Sequence, residues 1–192
     1  MTKRSTRLRL APGALPARAA AAPLALLFGL AFAAQAAAQT TVGPETRLPL
    51  PRFVSLKTDK VNLREGPSKD HATRFVYARS GLPVEVIAEF DNWRRVRDAD
   101  GTDGWVWHSL LSGRRTAIVA PWYRGGEPLE LRESERGDAR IVARIEPGVV
   151  VGVRGCGGET CRVVVDGPGR TQINGVLPQD ALFGVYPGER FE

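Results

Sequence analysis

The sequence predicts an all-β protein made of two small domains, and three observations support this. Beyond a leader segment, the chain consists of short β-prone runs separated by turn residues. The runs follow one another at roughly 8–12 residues, a spacing typical of barrels and sandwiches. No long amphipathic helix is evident, and a set of short motifs occurs twice in the same order. Two copies of one domain of about sixty residues explain this, each near the smallest size that supports a core.

The first 38 residues are predicted to be a cleaved signal peptide. A basic start precedes the apolar stretch Ala19–Ala34, and small residues end the segment at Ala38, before Gln39. This order predicts signal cleavage between Ala38 and Gln39. The apolar stretch is shorter than the ~20 residues that a spanning helix needs, so an uncleaved membrane anchor is the less favoured alternative. We therefore expect a periplasmic or secreted protein, without stable membrane insertion after cleavage.

Removal of the leader changes the charge of the protein. Five of the 27 Lys and Arg residues precede Gln39, whereas none of the 21 Asp and Glu residues do. The remaining chain carries 22 basic and 21 acidic residues, a net charge of +1. The basic character of the whole sequence belongs mainly to its leader, so it gives no reason to expect nucleic acid as a partner.

The remaining chain divides into three predicted segments. Residues 39–52 are polar and rich in proline, which predicts a disordered tether. Residues 53–118 form the first domain and residues 119–188 the second. Within the first domain, alternation predicts a half-buried strand with one face formed by Val84, Val86, Ala88 and Phe90.

The internal repeat consists of four pairs of blocks in matching order. The pairs are Val61–Glu65 with Leu129–Glu133, Gly81–Val86 with Gly148–Val153, Trp93–Val96 with Cys161–Val164, and Gly104–Val106 with Gly175–Leu177. The repeated position of Arg64, together with Asn62, predicts hydrogen bonds that fix a turn; a contact of these two residues with a ligand is the less favoured alternative.

The blocks of the first copy carry a resemblance to a known family. The run Val61–Ser68, followed by Gly81–Val86, Trp93–Val96 and Asp100–Val106, resembles the bacterial SH3 domain pattern, in particular a periplasmic type common in alphaproteobacteria. The ending Phe183–Pro187 and a cysteine pair in a weaker second copy also resemble that type. The resemblance implies two tandem SH3-like barrels, with the second copy divergent. The ligands of this family are mostly unknown.

The two cysteines, Cys156 and Cys161, are predicted to form a disulfide. Four residues separate them, and an even, closely spaced pair in an exported protein is typical of a local disulfide. A redox-active pair is the alternative, but the spacing and the predicted hairpin do not supply the helix N-terminus that lowers a thiol pKa.

Strand parity places three tryptophans on the outside of the first barrel. Successive side chains of a strand point to opposite faces, so Val96 and Val106 inside the barrel require Trp93, Trp105 and Trp107 outside. Exposed indoles are costly unless something covers them. The alternative is that the second copy or the tether covers these tryptophans within the chain.

The resemblance adds further candidates to this surface. In SH3-like barrels the outward tryptophan lines the ligand groove, and by that match Trp107 and Leu110 also border it. Arg94, Arg95 and Arg97 are expected to flank the groove, with Arg95 as the candidate contact. The expected ligand is a cell-wall peptide or peptidoglycan; the alternative is a protein–protein interface with another envelope protein.

The sequence offers no evident catalytic apparatus. His71 and His108 are the two histidines, and neither has the spacing of a zinc site. We expect a non-catalytic protein without metal or cofactor. An enzyme would require His108 to be activated in a cleft.

Overall fold

A computed structural model describes residues 41–123 and 125–192. The predicted signal peptide and its cleavage site at Ala38 and Gln39 lie outside these residues. Within them the regular structure is almost entirely β, which confirms the predicted class. Short 3-10 turns at His108–Leu110, Pro168–Arg170 and Gln179–Ala181 complete it. In this part of the chain no helix has the length and apolar character to cross a membrane.

The N-terminal part forms a small hairpin and a seven-stranded sheet. The hairpin pairs β1 (Thr41–Val42) with β2 (Pro49–Leu50). The first sheet contains β3 (Arg52–Leu56), β4 (Val61–Arg64), β5 (Thr73–Tyr77), β6 (Pro83–Phe90), β7 (Trp93–Arg97), β8 (Asp103–Trp107) and β9 (Leu111–Ser112). Its order is β5-β4-β8-β7-β6-β3-β9, with antiparallel neighbours throughout.

The C-terminal part forms a second antiparallel sheet. Its strands are β10 (Thr116–Val119), β11 (Leu129–Arg132), β12 (Ile141–Ile145), β13 (Val150–Gly157), β14 (Thr160–Asp166), β15 (Gln172–Pro178), β16 (Leu182–Phe183) and β17 (Arg190–Phe191). The order is β12-β11-β15-β14-β13-β10-β16, and β17 pairs with β13. Taken in chain order, the seven strands of this path follow the same order as those of the first sheet. Because β10 begins at Thr116, residues 116–118 pair in the second sheet, not in the first as expected.

The registers of the two sheets correspond position by position. Trp93 pairs with Trp107 in the first sheet, and Thr160 pairs with Pro178 in the second. With Gly104 aligned to Gly175, Trp93 therefore corresponds to Thr160. The expected match of Trp93 to Cys161 is wrong by one residue, because only pairing with the next strand fixes the register.

Each sheet encloses its own apolar core. Val96 and Val106 are fully buried in the first core, as strand parity predicts. Leu131, Val163 and Leu177 are equally buried in the second core. Burial of one such side chain contributes roughly 1.5–3 kcal/mol, so these inward positions supply much of the driving force for folding.

Strand β6 departs from the simple alternation that the sequence predicts. Its pairing with β7 shifts between Val86 and Ala88, which marks a β-bulge. A bulge inserts one extra residue and so reverses the facing of everything beyond it. Glu89 is consequently buried, while Phe90 is 58% exposed, the opposite of the expected arrangement. A bulge lies at the equivalent place in the second sheet, between Val153 and Gly155.

The side chain of Glu89, which the bulge turns to the buried face, binds part of the segment 39–52 that was expected to be a disordered tether. The backbone N–H groups of Glu45 and Thr46 donate to Glu89 Oε2 at 3.0 and 2.9 Å, and the Thr46 hydroxyl donates to Oε1 at 2.6 Å. Gly43 lies so close that a Cβ there would stand 2.4 Å from the carboxylate. Residues 41–50 are therefore a folded hairpin that ends with Leu50 in the first core.

The disulfide between Cys156 and Cys161 is confirmed. The two residues pair directly across β13 and β14. In the first sheet the equivalent pair is Glu89 and Arg94, which also face each other and form an ion pair of 3.5 Å. A covalent link in one sheet thus stands where the other has a charged pair.

The C-terminal segment joins the two sheets. Phe53 of β3 packs against the rings of Phe183 and Tyr186, with centroids 5.2 and 4.8 Å apart. The Tyr186 hydroxyl donates a hydrogen bond of 3.0 Å to Glu85 of β6. Gly184 makes this path possible, because its φ is +127° and a Cβ there would lie 2.3 Å from the Thr116 carbonyl oxygen. The two sheets therefore share an aromatic and hydrogen-bonded contact.

Candidate functional site

The candidate site is an outer groove of the first sheet, built around two tryptophans. Trp93 begins β7 and Trp107 ends β8, and the two residues pair directly. Their rings meet edge to face, with centroids 5.3 Å apart and planes inclined by 81°. Both positions have the opposite parity to the buried Val96 and Val106, so the indoles lie outside the core. Trp93 is nonetheless only 6% exposed, whereas Trp107 is half-buried.

The indoles share the groove with polar side chains of β4 and its following loop. Asn62 and Arg64 occupy the outward positions of β4, where burial alternates between full and partial. Leu110 lies in the 3-10 turn that follows Trp107. The groove has a volume of about 330 Å³ and is lined by Asn62, Arg64, Lys69, Trp93, Trp107 and Leu110.

Arg64 fixes the loop that brings a lysine to the groove. Its Nη1 donates to the carbonyl oxygens of Lys69 and His71 at 3.0 and 2.7 Å, as the expected turn-fixing role requires. Arg132 makes the equivalent bonds to Gly137 and Ala139 in the second sheet. The Lys69 ammonium lies 5.8 Å from the Trp107 ring centroid, within the range of a cation–π contact. The loop therefore places a positive charge beside the accessible indole.

The remaining predicted site residues, Trp105 and Arg95, lie elsewhere. They line a separate recess of about 220 Å³ together with Glu65, Arg74 and Asp103. Arg95 forms an ion pair with Asp103, and Arg74 Nη1 lies 3.9 Å from the same carboxylate. Trp93, Trp107 and Leu110 thus come together, and Trp105 and Arg95 do not join them.

The arginines that were expected to flank the groove are engaged with other groups. Arg94 is buried, where it donates to the carbonyl oxygens of Asp91 and Trp93 at 2.8 Å and pairs with Glu89. Arg97 forms a salt bridge of 2.6 Å with Glu85. The cationic side chains that line the groove are instead Arg64, for which a ligand contact was the less favoured expectation, and Lys69, for which none was expected. The turn that follows Arg64, which is repeated after Arg132, was the sequence signal that could have indicated Lys69. The position of this loop beside Trp107, however, depends on tertiary structure.

One charged group behind this sheet has a strongly displaced pKa. Burial of Glu89 by itself raises the pKa, but hydrogen bonds from Thr46, then from Arg52 and Glu45, outweigh burial and lower it to about 2. Glu89 is therefore a structural carboxylate that stays ionised at neutral pH. Among the described residues no cluster of three or more His, Cys, Asp or Glu side chains could hold a metal ion.

Within the part of the chain that the structure describes, the equivalent surface of the second sheet has no aromatic pair. Thr160 and Pro178 occupy the positions of Trp93 and Trp107. A cavity of about 320 Å³ remains there, lined in part by Arg132, Thr160 and Pro178. The indole groove is therefore a property of the first sheet.

Comparison with known proteins relates the first sheet to a family. No curated protein matches the chain. Two similar solved structures are NlpC2 and NlpC1 from Trichomonas vaginalis, each 13% identical with a TM-score of 0.31. The similarity covers 69% and 74% of this chain but 48% of each of theirs, so the chain spans about half the length of those proteins. Residues 57–113, which include every residue that lines the indole groove, match the family described as bacterial SH3 domain.

Proposed function

We propose that this protein is a non-catalytic binding module of the cell envelope, and that the indole groove of its first sheet binds a cell-wall peptide or peptidoglycan. The observation that carries the proposal is the combination of Trp107 and Leu110 with Arg64 and Lys69 in one groove. A wall peptide offers carboxylates and small apolar side chains, and this groove provides a partner for each.

The energetics of such a groove favour an anionic peptide. Trp107 gives a large apolar contact at little cost in side-chain entropy, which is typical of residues that dominate binding. Lys69 has no carboxylate partner within the described residues, and charge-assisted hydrogen bonds to a ligand carboxylate are stronger than neutral ones. The similarity of residues 57–113 to the bacterial SH3 domain family supports a binding role.

The proposal includes the organisation and location of the chain. Export by a signal peptide ending at Ala38 would bring the protein to the periplasm or the outside of the cell. We further propose that the second sheet is a diverged SH3-like copy. Its strand order, its bulge in β13 and the arginine turn at Arg132 all support this origin.

An assembly role with another envelope protein is the second candidate, and the edge strand β5 favours it. This strand pairs only with β4 in the described chain, and it exposes Phe75 by 51% and Val76 by 40%. An unpaired, apolar strand edge can accept a strand from another protein.

Sedimentation with purified sacculi tests the main proposal. The full mature chain should pellet with sacculi, and Trp107→Ala should reduce the bound fraction at least fivefold. Trp105→Ala is the matched control, because it removes an indole from the same strand but from the other recess; its binding should remain within twofold of wild type. Lys69→Gln should weaken binding and reduce its dependence on salt.

Two results would count against this function. If wild type does not pellet, or if Trp105→Ala and Trp107→Ala lose binding equally, the groove is not the site. Crosslinking in cells that yields one protein partner through Phe75, but no wall fragments, would favour the assembly role.

A further inference from the structure

A second cavity, unrelated to the indole groove, lies between the β13–β14 turn and the C-terminal segment. It has a volume of about 740 Å³, with Trp122, Leu182 and Val185 among its apolar lining residues. Trp122 is 60% exposed although it lies at the cavity, and it comes from the connection after β10 rather than from a strand. The second sheet therefore has an accessible indole at this cavity, although its strands lack the aromatic pair of the first sheet.

The charged groups that the described residues contribute to the lining of this cavity are acidic. Glu159 and Asp180 contribute to its wall, and among residues 41–123 and 125–192 no Lys, Arg or His is found in the lining. Both residues are exposed, and within residues 41–123 and 125–192 neither carboxylate has an ion pair or hydrogen bond. The nearby Arg190 packs its guanidinium over Gly158, where a Cβ would lie 3.0 Å from Nη2. The charge that the described residues place at the cavity is therefore negative, and the Arg190 guanidinium lies at its margin.

The buried side chain of Gln179 in the cavity wall has a carbonyl oxygen that accepts no hydrogen bond within the described residues. Gln179 is 4% exposed and lines the cavity. Its Nε2 donates to the carbonyl oxygens of Tyr186 and Glu189 at 2.7 and 3.1 Å, and because both partners are acceptors the amide orientation is fixed. Its Oε1 has no hydrogen-bond partner in the described structure. An unpaired carbonyl dipole in a buried wall adds to the negative potential of the cavity.

We propose that this cavity binds a lysine side chain of an extended peptide. Glu159 and Asp180 would attract the ammonium group, and the Trp122 face would provide a cation–π contact. The apolar residues Leu182 and Val185 would cover the aliphatic stem, as apolar surfaces generally do for lysine. The site is distinct from the indole groove, whose cations favour an anionic ligand.

An NMR titration with short peptides tests this proposal. The probe is the acetylated, amidated tripeptide Ala-Lys-Ala, added to the full mature chain while the four indole N–H signals are followed. The Trp122 signal should shift and saturate, whereas those of Trp93, Trp105 and Trp107 should not. Replacement of the probe lysine by norleucine, which keeps the stem but removes the charge, should weaken binding at least tenfold.

Variants of the cavity complete the test. The double variant Glu159→Gln/Asp180→Asn should weaken binding at least fivefold, and Arg190→Gln should strengthen it about twofold. Asp166→Asn, an exposed carboxylate of the same sheet outside the cavity, is the matched control and should leave binding unchanged. Unshifted signals of the other indoles show that each variant is folded.

The proposal is overturned if norleucine binds as well as lysine, or if the double variant binds as wild type does. A shift confined to Trp107 would also overturn it, because that result assigns the peptide to the groove of the first sheet. Failure of wild type to bind sacculi leaves this test unaffected, since the titration uses a soluble peptide and another indole.

Discussion

Substitution of Glu89 by Gln should destabilise the protein by about 3 kcal/mol at neutral pH. The carboxylate accepts hydrogen bonds from the N–H groups of Glu45 and Thr46, from the Thr46 hydroxyl, and from Arg52 at 2.7 Å. Breaking a buried charged pair typically costs about 3–5 kcal/mol, because the remaining cations lose their partner. The fall of the Glu89 pKa from 4.5 to about 2 gives a similar value, about 3 kcal/mol.

The pH dependence of this contribution has a definite sign. Because folding lowers the pKa of Glu89, its stabilising effect is complete above pH about 4.5 and is lost as pH falls through about 2. Urea unfolding at pH 7 and at pH 3 measures this difference. Wild type should lose more stability than Glu89→Gln between these two values, and the melting temperature of the variant at pH 7 should fall by about 6–12 °C.

The exposed Glu65 provides the matched control for Glu89. Glu65→Gln makes the same chemical change at an exposed position of the first sheet, and its stability should stay within about 0.5 kcal/mol of wild type. If Glu89→Gln is equally stable, or if its acid sensitivity equals that of wild type, Glu89 does not hold the hairpin in the way described.

Three further perturbations test the contacts that join strands and sheets. Tyr186→Phe removes the hydrogen bond from the Tyr186 hydroxyl to Glu85 of the first sheet. It should lower the free energy of unfolding in urea by about 1–3 kcal/mol, because the Glu85 carboxylate loses that donor. An unchanged free energy of unfolding would show that this contact does not stabilise the protein. Replacement of Cys156 and Cys161 by Ala should cost about 2–3 kcal/mol, and reduction of wild type should reproduce this loss in calorimetry. Gly184→Ala should prevent close packing of the C-terminal segment and cost more than about 3 kcal/mol, whereas Gly101→Ala, at a glycine whose φ is also positive (+82°) but which has open space around it, should cost about 1 kcal/mol; equal effects would contradict the steric argument.

Strand parity predicts faces correctly where the strands are regular. Val96 and Val106 lie in the core because β7 and β8 run without interruption through these residues. Parity fails beyond Val86, where a bulge reverses the order and buries Glu89. No local residue pattern marks this bulge, because what stabilises the inverted carboxylate is a hairpin about forty residues earlier in the chain.

Strand parity also predicts which face of the sheet a side chain lies on, but not which side chains of the neighbouring strands it contacts. Trp105 and Trp107 share one face of β8, yet Trp105 pairs with Arg95 and Trp107 pairs with Trp93. Two residues along a strand separate their side chains by about 7 Å, which is enough to put them in different recesses. The composition of the groove therefore depends on cross-strand register and on the loop that carries Lys69, neither of which short motifs specify.

The equivalence of the Glu89–Arg94 pair and the Cys156–Cys161 bond gives the two halves of the chain different vulnerabilities. A thiol reductant breaks the Cys156–Cys161 disulfide in the C-terminal half and leaves the Glu89–Arg94 ion pair intact. Strong acid neutralises the Glu89 carboxylate in the N-terminal half and leaves the disulfide intact. Each half can thus be weakened chemically while the other keeps its cross-strand connection, so limited proteolysis under the two treatments should release different fragments of the same polypeptide.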